Sequence, residues 1–242
     1  INIITYTYLI KVYHIINLIM VCIYSVEGNI GSGKSTLVKY MREQYTRDFE
    51  GKNVIFVDEP VDEWSKIKDG SGETMLEKFY KDQNKYAFPF QMMAYISRLS
   101  MLKKVKASAP DDAIIITERS VYTDKYVFAK MLHDSGQIEE VNYQVYLKWF
   151  EEFVSDIPIS GIIYIRTEPE VAHERIGIRA RKGEDIPLDY IKRCHKYHED
   201  WLYANYSPEQ MLVLNGNLEL KTESDYWSWF DCIELQFKKT CM

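Results

Sequence analysis

The sequence predicts an α/β fold, a five-stranded parallel sheet flanked by helices. Short apolar runs rich in Val, Ile and Tyr recur along the chain and are nearly uninterrupted by polar residues, as expected of strands buried on both faces. Longer stretches of helical periodicity separate them. Strands alternating with helices build βαβ units and a doubly wound sheet.

The predicted strands are residues 21–27, 54–58, 113–118, 161–165 and 211–214. The predicted helices are 34–45, 88–106, 123–134, 143–155, 169–179 and 188–205. No repeat, low-complexity tract or Pro/Gly-rich linker divides the chain, so one domain over 20–242 is expected. In open parallel sheets, ligands sit beyond the carboxyl ends of the strands. Gly28, Glu59, Glu118 and Arg119 occupy those places.

Bulk composition narrows the function. The 242 residues carry a formal charge of −6, which argues against a general nucleic-acid or anionic-membrane binder. A phosphate-bearing ligand would therefore need a local cluster of Arg and Lys. Cys22, Cys194, Cys232 and Cys241 form no C-x-x-C pair and no zinc spacing, and they read as free thiols in a reducing compartment. Residues 1–19 lack the basic start and small-residue cleavage site of a secretory signal. Lys11 and His14 interrupt their apolar run, which makes a membrane span unlike them. Met20 is read as the natural start and 1–19 as an upstream or transit extension. A cytoplasmic protein is expected, or a mitochondrial one if 1–19 is a transit segment.

The sharpest motif is Gly28-Asn29-Ile30-Gly31-Ser32-Gly33-Lys34-Ser35, followed by Thr36. It fits G-x-x-x-x-G-K-[ST] between a strand and a helix, the context that this phosphate loop requires. Its glycines let backbone N–H groups turn inward around phosphate oxygens, and the helix N-terminus adds positive partial charge. Lys34 is expected on the β- and γ-phosphates of ATP, and the Ser35 hydroxyl on Mg²⁺. A GTPase would need Asn-Lys-x-Asp, but Asn84-Lys85-Tyr86-Ala87 lacks the Asp.

Further segments follow in order: Asp58-Glu59-Pro60-Val61-Asp62-Glu63-Trp64, Phe90-Gln91, Glu118-Arg119-Ser120, and Arg175 with Arg179 and Arg181. Together with the phosphate loop they resemble the deoxynucleoside kinase family, over about residues 21–217. The resemblance implies a P-loop kinase fold with a short Arg-rich lid, and transfer of the ATP γ-phosphate to the 5′-hydroxyl of a deoxynucleoside in nucleotide salvage. It also implies a homodimer packed through helices after the third and fourth strands.

The residues support that chemistry on their own terms. Phosphorylating a hydroxyl needs a carboxylate near the attacking oxygen and cations on the transferring group. Glu59 is the first candidate base. Glu118 is the second, or else a Mg²⁺ ligand beside Ser35, and Arg119 can bridge Glu59 and the acceptor oxygen. Arg175 and Arg179 share a helix face and, with Arg181, can clamp ATP phosphates. The Gln91 amide can both donate and accept along a base edge.

The resemblance further implies an apolar base pocket of Trp64, Leu76, Phe79, Phe90 and Phe128, and a sugar-binding pair, Tyr80 and Glu184. Ala94, Arg98 and Asp124 match the deoxycytidine and deoxyguanosine kinases rather than thymidine-accepting relatives, which implies a purine or cytosine base. A thymidylate-type monophosphate kinase and a non-catalytic subunit with the same fold are the alternatives. The first would need an extra arginine for its acceptor's phosphate, and the second should have lost Lys34, Ser35, Glu59 or Arg119.

Overall fold

A computed structural model describes residues 21–45, 48–155, 157–181, 185–220 and 222–241. The expectations for residues 1–19 and for Glu184 lie outside the described residues. Strand β1 is Cys22–Glu27, followed by helix α1, Lys34–Gln44. A short β2, Asp48–Phe49, precedes β3, Lys52–Val57. Helices α2 (Val61–Lys66), α3 (Met75–Lys81) and α4 (Gln83–Ser108) lead to β4, Ile114–Glu118.

A composite helical stretch comes next. It consists of α5 (Val121–Thr123), a π-helical segment (Asp124–Ala129) and α6 (Lys130–Asp134). Helix α7, Glu140–Phe153, leads to β5, Gly161–Arg166. The chain continues through α8 (Pro169–Arg179), α9 (Leu188–Asn205), β6 (Met211–Asn215), a 3₁₀ turn (Glu223–Tyr226) and α10 (Trp227–Cys241).

The strand order is β2-β3-β4-β1-β5-β6. All neighbours are parallel except β2 and β3, which pair antiparallel. The expected five-stranded parallel sheet is therefore corrected to six strands with one antiparallel edge. The two-residue β2 is too short to leave a periodic signal, and it forms because the chain reverses at Glu50 and Gly51, both at positive φ.

The apolar character of the central strands follows from helices on both faces. Along β4, Ile114 and Ile116 join the cluster with Leu37 and Met41 of α1 and Phe230, Ile233 and Phe237 of α10. Ile115 points the other way, toward Tyr95, Leu99 and Leu102 of α4 and Tyr146 and Phe150 of α7. Fully burying each such side chain is worth about 1.5–3 kcal/mol, so neither face can tolerate a polar residue cheaply.

The expectation of four free thiols is also corrected. Cys22 of β1 and Cys241 of α10 are joined as a disulfide, whereas Cys194 and Cys232 are free. A separation of 219 residues hides that pairing from any spacing rule. The bond holds the last helix to the central strand.

Register explains why the site forms where it does. Val26 of β1 lies beside Glu118 of β4, and Val57 of β3 lies beside Thr117. The segments leaving three adjacent strands therefore emerge together at one edge of the sheet. The phosphate loop turns there at Gly31, which has φ +77°. A Cβ at Gly31 would come 2.3 Å from the Ala172 carbonyl oxygen of α8. Gly31→Ala should therefore lower the denaturation midpoint by the equivalent of about 1–3 kcal/mol and weaken ATP binding. Equal midpoints for the two proteins would mean that the loop follows another path in solution.

Candidate active site

A cleft of about 680 Å³ opens over the carboxyl ends of the strands. Its floor is the phosphate loop. Ile30, Gly31, Gly33, Lys34, Ser35 and Thr36 line it, whereas Gly28, Asn29 and Ser32 are buried beneath it. Asn29 braces the loop by donating from Nδ2 to the Ile191 carbonyl at 2.9 Å and accepting from the Ile30 N–H at 2.9 Å. The Lys34 ammonium donates to the Asn29 carbonyl at 2.7 Å. Burial, assisted by the Arg119 charge, lowers the Lys34 pKa to about 7 even though Glu118 and Glu59 oppose the shift. A bound polyphosphate would supply the negative charge that this lysine lacks.

Ser35 donates from Oγ to Glu118 Oε1 at 2.8 Å, joining the start of α1 to the end of β4. These two oxygen donors face the cleft side by side. Among the described residues, no group of three or more His, Cys, Asp and Glu side chains could hold a metal ion. One carboxylate and one hydroxyl, completed by phosphates and water, is a typical protein contribution to a Mg²⁺ site.

Glu59 sits two residues past β3. Arg119 Nη1 donates to both of its oxygens, at 2.8 and 3.0 Å, and Arg98 Nη2 donates to Oε1 at 2.9 Å. Burial alone would raise the Glu59 pKa, but Arg119 and Arg98, with Lys34 behind them, hold it down at about 2. The carboxylate is thus ionised throughout the physiological range.

Arg98 itself is bound on every side. Nε and Nη2 donate to Asp124 at 2.9 and 3.4 Å, and Nη1 donates to the Glu118 carbonyl at 2.8 Å. Burial pushes the Asp124 pKa up to about 6 despite that partner. The π-helical segment that carries Asp124 also carries Phe128, whose ring lies 5.4 Å beneath the Arg119 guanidinium. Such widened turns recur at functional sites because they re-aim side chains that a regular helix would turn away.

The far wall is aromatic. Phe79 and Phe90 stack with centroids 4.6 Å apart, and Trp64 meets Phe90 edge-on at 5.6 Å. Trp64 is locked by donating from Nε1 to Ser97 Oγ at 2.8 Å. Leu76, Tyr80, Ala94 and Phe128 join them in the lining. Gln91 lies among them with only 2 % of its surface exposed, and its Oε1 is buried without a hydrogen-bond partner. An unpartnered amide oxygen costs about 1–3 kcal/mol, so this position is built to receive a donor.

Arg175, Arg179 and Arg181 reach the cleft from the other side. Arg175 donates to the carbonyls of Gly216 and Leu218 at 2.7 and 3.1 Å, tying α8 to the segment after β6. Helix α8 ends at Arg179 and Ala180 takes a left-handed turn, so Arg181 lies beyond the helix. Every predicted site residue among the described ones is in or directly beneath this cleft. The sequence reading gave no site role to Lys39, Arg42, Asp58, Val61, Asp62, Ile178 and Tyr190, which also line it. Tyr190 had a signal, because it stands one turn before Cys194 on the buried face of α9.

The deoxynucleoside kinase family model matches residues 24–234. A protein of fowlpox virus (strain NVSL) named "Probable deoxycytidine kinase" is 37 % identical over 208 residues, 83 % of this chain and 81 % of the relative. Deoxycytidine kinase 2 of Gallus gallus is 34 % identical over 227 residues, 82 % of this chain and 83 % of its own. The mitochondrial deoxyguanosine kinase of Xenopus laevis is 32 % identical over 227 residues, 83 % of both chains. A match of this extent, on a chain whose cleft joins a phosphate loop to an aromatic pocket, means that the protein belongs to the deoxynucleoside kinase family.

Proposed function

We propose that this kinase moves the γ-phosphate of ATP onto the 5′-hydroxyl of deoxyadenosine, deoxyguanosine or deoxycytidine, in preference to thymidine, with Glu59 as the base. The observation that carries the proposal is the Glu59 carboxylate, held by Arg119 and Arg98 in the same cleft as Lys34. A hydroxyl hydrogen-bonded to Glu59 would face a phosphate cradled by the loop. Phosphoryl transfer passes through a largely dissociative transition state, so positioning and charge stabilisation do most of the work. An ionised, oriented carboxylate suits that task, and Arg119 steadies both the base and the attacking oxygen.

The remaining roles follow from geometry. Ser35 and Glu118 would hold Mg²⁺, which when bound neutralises charge on the phosphates. Arg175, Arg179 and Arg181 are the basic group that the acidic net charge required, and they would act as a lid over the donor. The base would slot between the Phe79–Phe90 side and Phe128, with its edge on Gln91. Glu184 stays a proposal from family resemblance, as Tyr80's partner on the sugar.

Helix α7 exposes Val141, Val145, Trp149 and Phe153 at intervals of four residues, which supports a homodimer through this face. One kinase domain over 20–242 and a cytoplasmic or mitochondrial location complete the reading. Among the described residues, no helix is long and apolar enough to cross a membrane.

Initial rates with the four deoxynucleosides test the function directly. Phosphorylation of at least one, with little ATP hydrolysis in their absence, is expected. A monophosphate acceptor, or no turnover at all, would remove the proposal. Glu59→Gln should lower kcat by about 10²-fold with a modest change in KM. If Glu118→Gln proves the more damaging change, the base and metal roles are exchanged.

Arg98→Met combined with Asp124→Ala should raise kcat/KM for thymidine and lower it for the natural base. The room for a thymine methyl is worth about 1–3 kcal/mol, which limits the change to roughly 10- to 200-fold. A wild-type enzyme that prefers thymidine would refute this assignment of the pair. For the dimer, Trp149→Glu should convert a two-chain species to a one-chain species by light scattering, and an unaltered mass would reject the α7 interface.

A further inference from the structure

Glu27, the last residue of β1, is a carboxylate with no exposure to solvent, and no ion pair to it is found among the described residues. Neutral donors surround it. Its Oε1 accepts from Ser25 Oγ at 2.6 Å, the Ser120 N–H at 3.0 Å and Ser120 Oγ at 2.8 Å. Its Oε2 accepts from Thr123 Oγ1 at 2.5 Å. Burying a carboxylate is costly unless its oxygens are satisfied in this way, and stability alone would be served as well by an apolar residue here.

What the carboxylate grips is informative. The residue before Ser120 is Arg119, whose φ of +62° is unusual for a residue with a Cβ and costs of order 1–3 kcal/mol. Arg119 keeps that conformation through backbone restraints. Its N–H donates to the Val26 carbonyl at 3.0 Å, and its own carbonyl accepts from Thr117 Oγ1 at 2.9 Å. The Ser120 N–H held by Glu27 is the next restraint along the chain. Glu59 and the Phe128 ring beneath the guanidinium hold the far end of the Arg119 side chain, whereas its Nε, nearer the backbone, is buried without a partner. The turn sets the point from which the guanidinium reaches those two partners. Glu27 also directly precedes Gly28, so one carboxylate joins the root of the phosphate loop to the turn that presents Arg119.

We propose that Glu27 is a positioning residue: its buried carboxylate ties the Arg119–Ser120 turn to the phosphate loop and so fixes the Arg119 guanidinium on Glu59. The inference rests on the function proposed above and adds a residue that acts through Arg119 without touching substrate. A displacement of about 1 Å at a catalytic group can cost about 10²-fold in rate. Glu27→Ala should accordingly lower kcat by roughly 10- to 100-fold, with KM for ATP and for the deoxynucleoside within about threefold of wild type. Glu27→Gln keeps an acceptor for Ser120 and lets the Thr123 hydroxyl turn to accept, so it should restore most of the lost rate.

The decisive measurement is a double-mutant cycle on folded protein, with the active fraction normalised by circular dichroism. On an Arg119→Ala background, Glu27→Ala should add less than about threefold, because the residue it positions is gone. Equal losses on both backgrounds would overturn the inference, as would a kcat within twofold of wild type or a Gln variant as impaired as the Ala variant. If Glu27→Ala does not fold, Ser120→Ala combined with Thr123→Val weakens the same tether from its other end, leaving only the Ser120 N–H, and must give a smaller loss with the same split between kcat and KM. Wild-type protein inactive on every deoxynucleoside would sink the proposed function itself. Active wild type with an undiminished Glu27→Ala would sink only this inference.

Discussion

Arg98 carries a permanent positive charge where only 2 % of the residue meets solvent, and the site is arranged around neutralising it. Its guanidinium reaches the carboxylate of Glu59 after β3, the backbone carbonyl of Glu118 at the end of β4, and Asp124 at the start of the π-helical segment. A buried charge that loses one partner is typically destabilising by about 3–5 kcal/mol, so these three segments cannot drift apart separately. The same contacts that satisfy Arg98 also orient Glu59. Structural necessity and chemistry thus act through one side chain.

The helix that carries Arg98 does the corresponding work for the base pocket. Helix α4 is 26 residues long and packs between the sheet, α7 and the aromatic wall. Phe90, Gln91, Ala94 and Arg98 fall on its cleft-facing side at spacings that a helix brings into register. A flat apolar surface, an amide edge and a charged end therefore lie along one rigid rod. Opposite them, the phosphate loop and Arg175 present cations. The protein's acidic net charge is compatible with an anionic donor because its positive groups converge on one cleft.

Much of this was legible in the sequence. Central strands with both faces covered must be apolar throughout, so β1, β4 and β5 announced themselves. The phosphate loop is a local motif, and its glycines are demanded by backbone geometry within a few residues. Several elements left signals that went unused. Thr74 and Glu77 form a capping box that marks the start of α3, and Trp229, Phe230, Ile233 and Phe237 trace the buried face of α10. Pattern reading could not supply β2, whose two residues are too few to show a period, or the Cys22–Cys241 bond, whose partners stand 219 residues apart.

What the sequence by itself determined were the types of group present: a phosphate loop, carboxylates and arginines after strand ends, aromatics and one amide on a helix. Tertiary structure decided which of them meet. Glu59 is separated from Arg119 by 60 residues and from Arg98 by 39, yet a single set of hydrogen bonds joins all three. Their convergence, and with it the ionised state of Glu59 and the neutral shell around Glu27, depends on β4 inserting between β1 and β3. Local propensity fixes a strand's existence within its own few residues. Its neighbours in the sheet are chosen by burial of side chains from the whole chain, and only that choice sets the distances at which charges act.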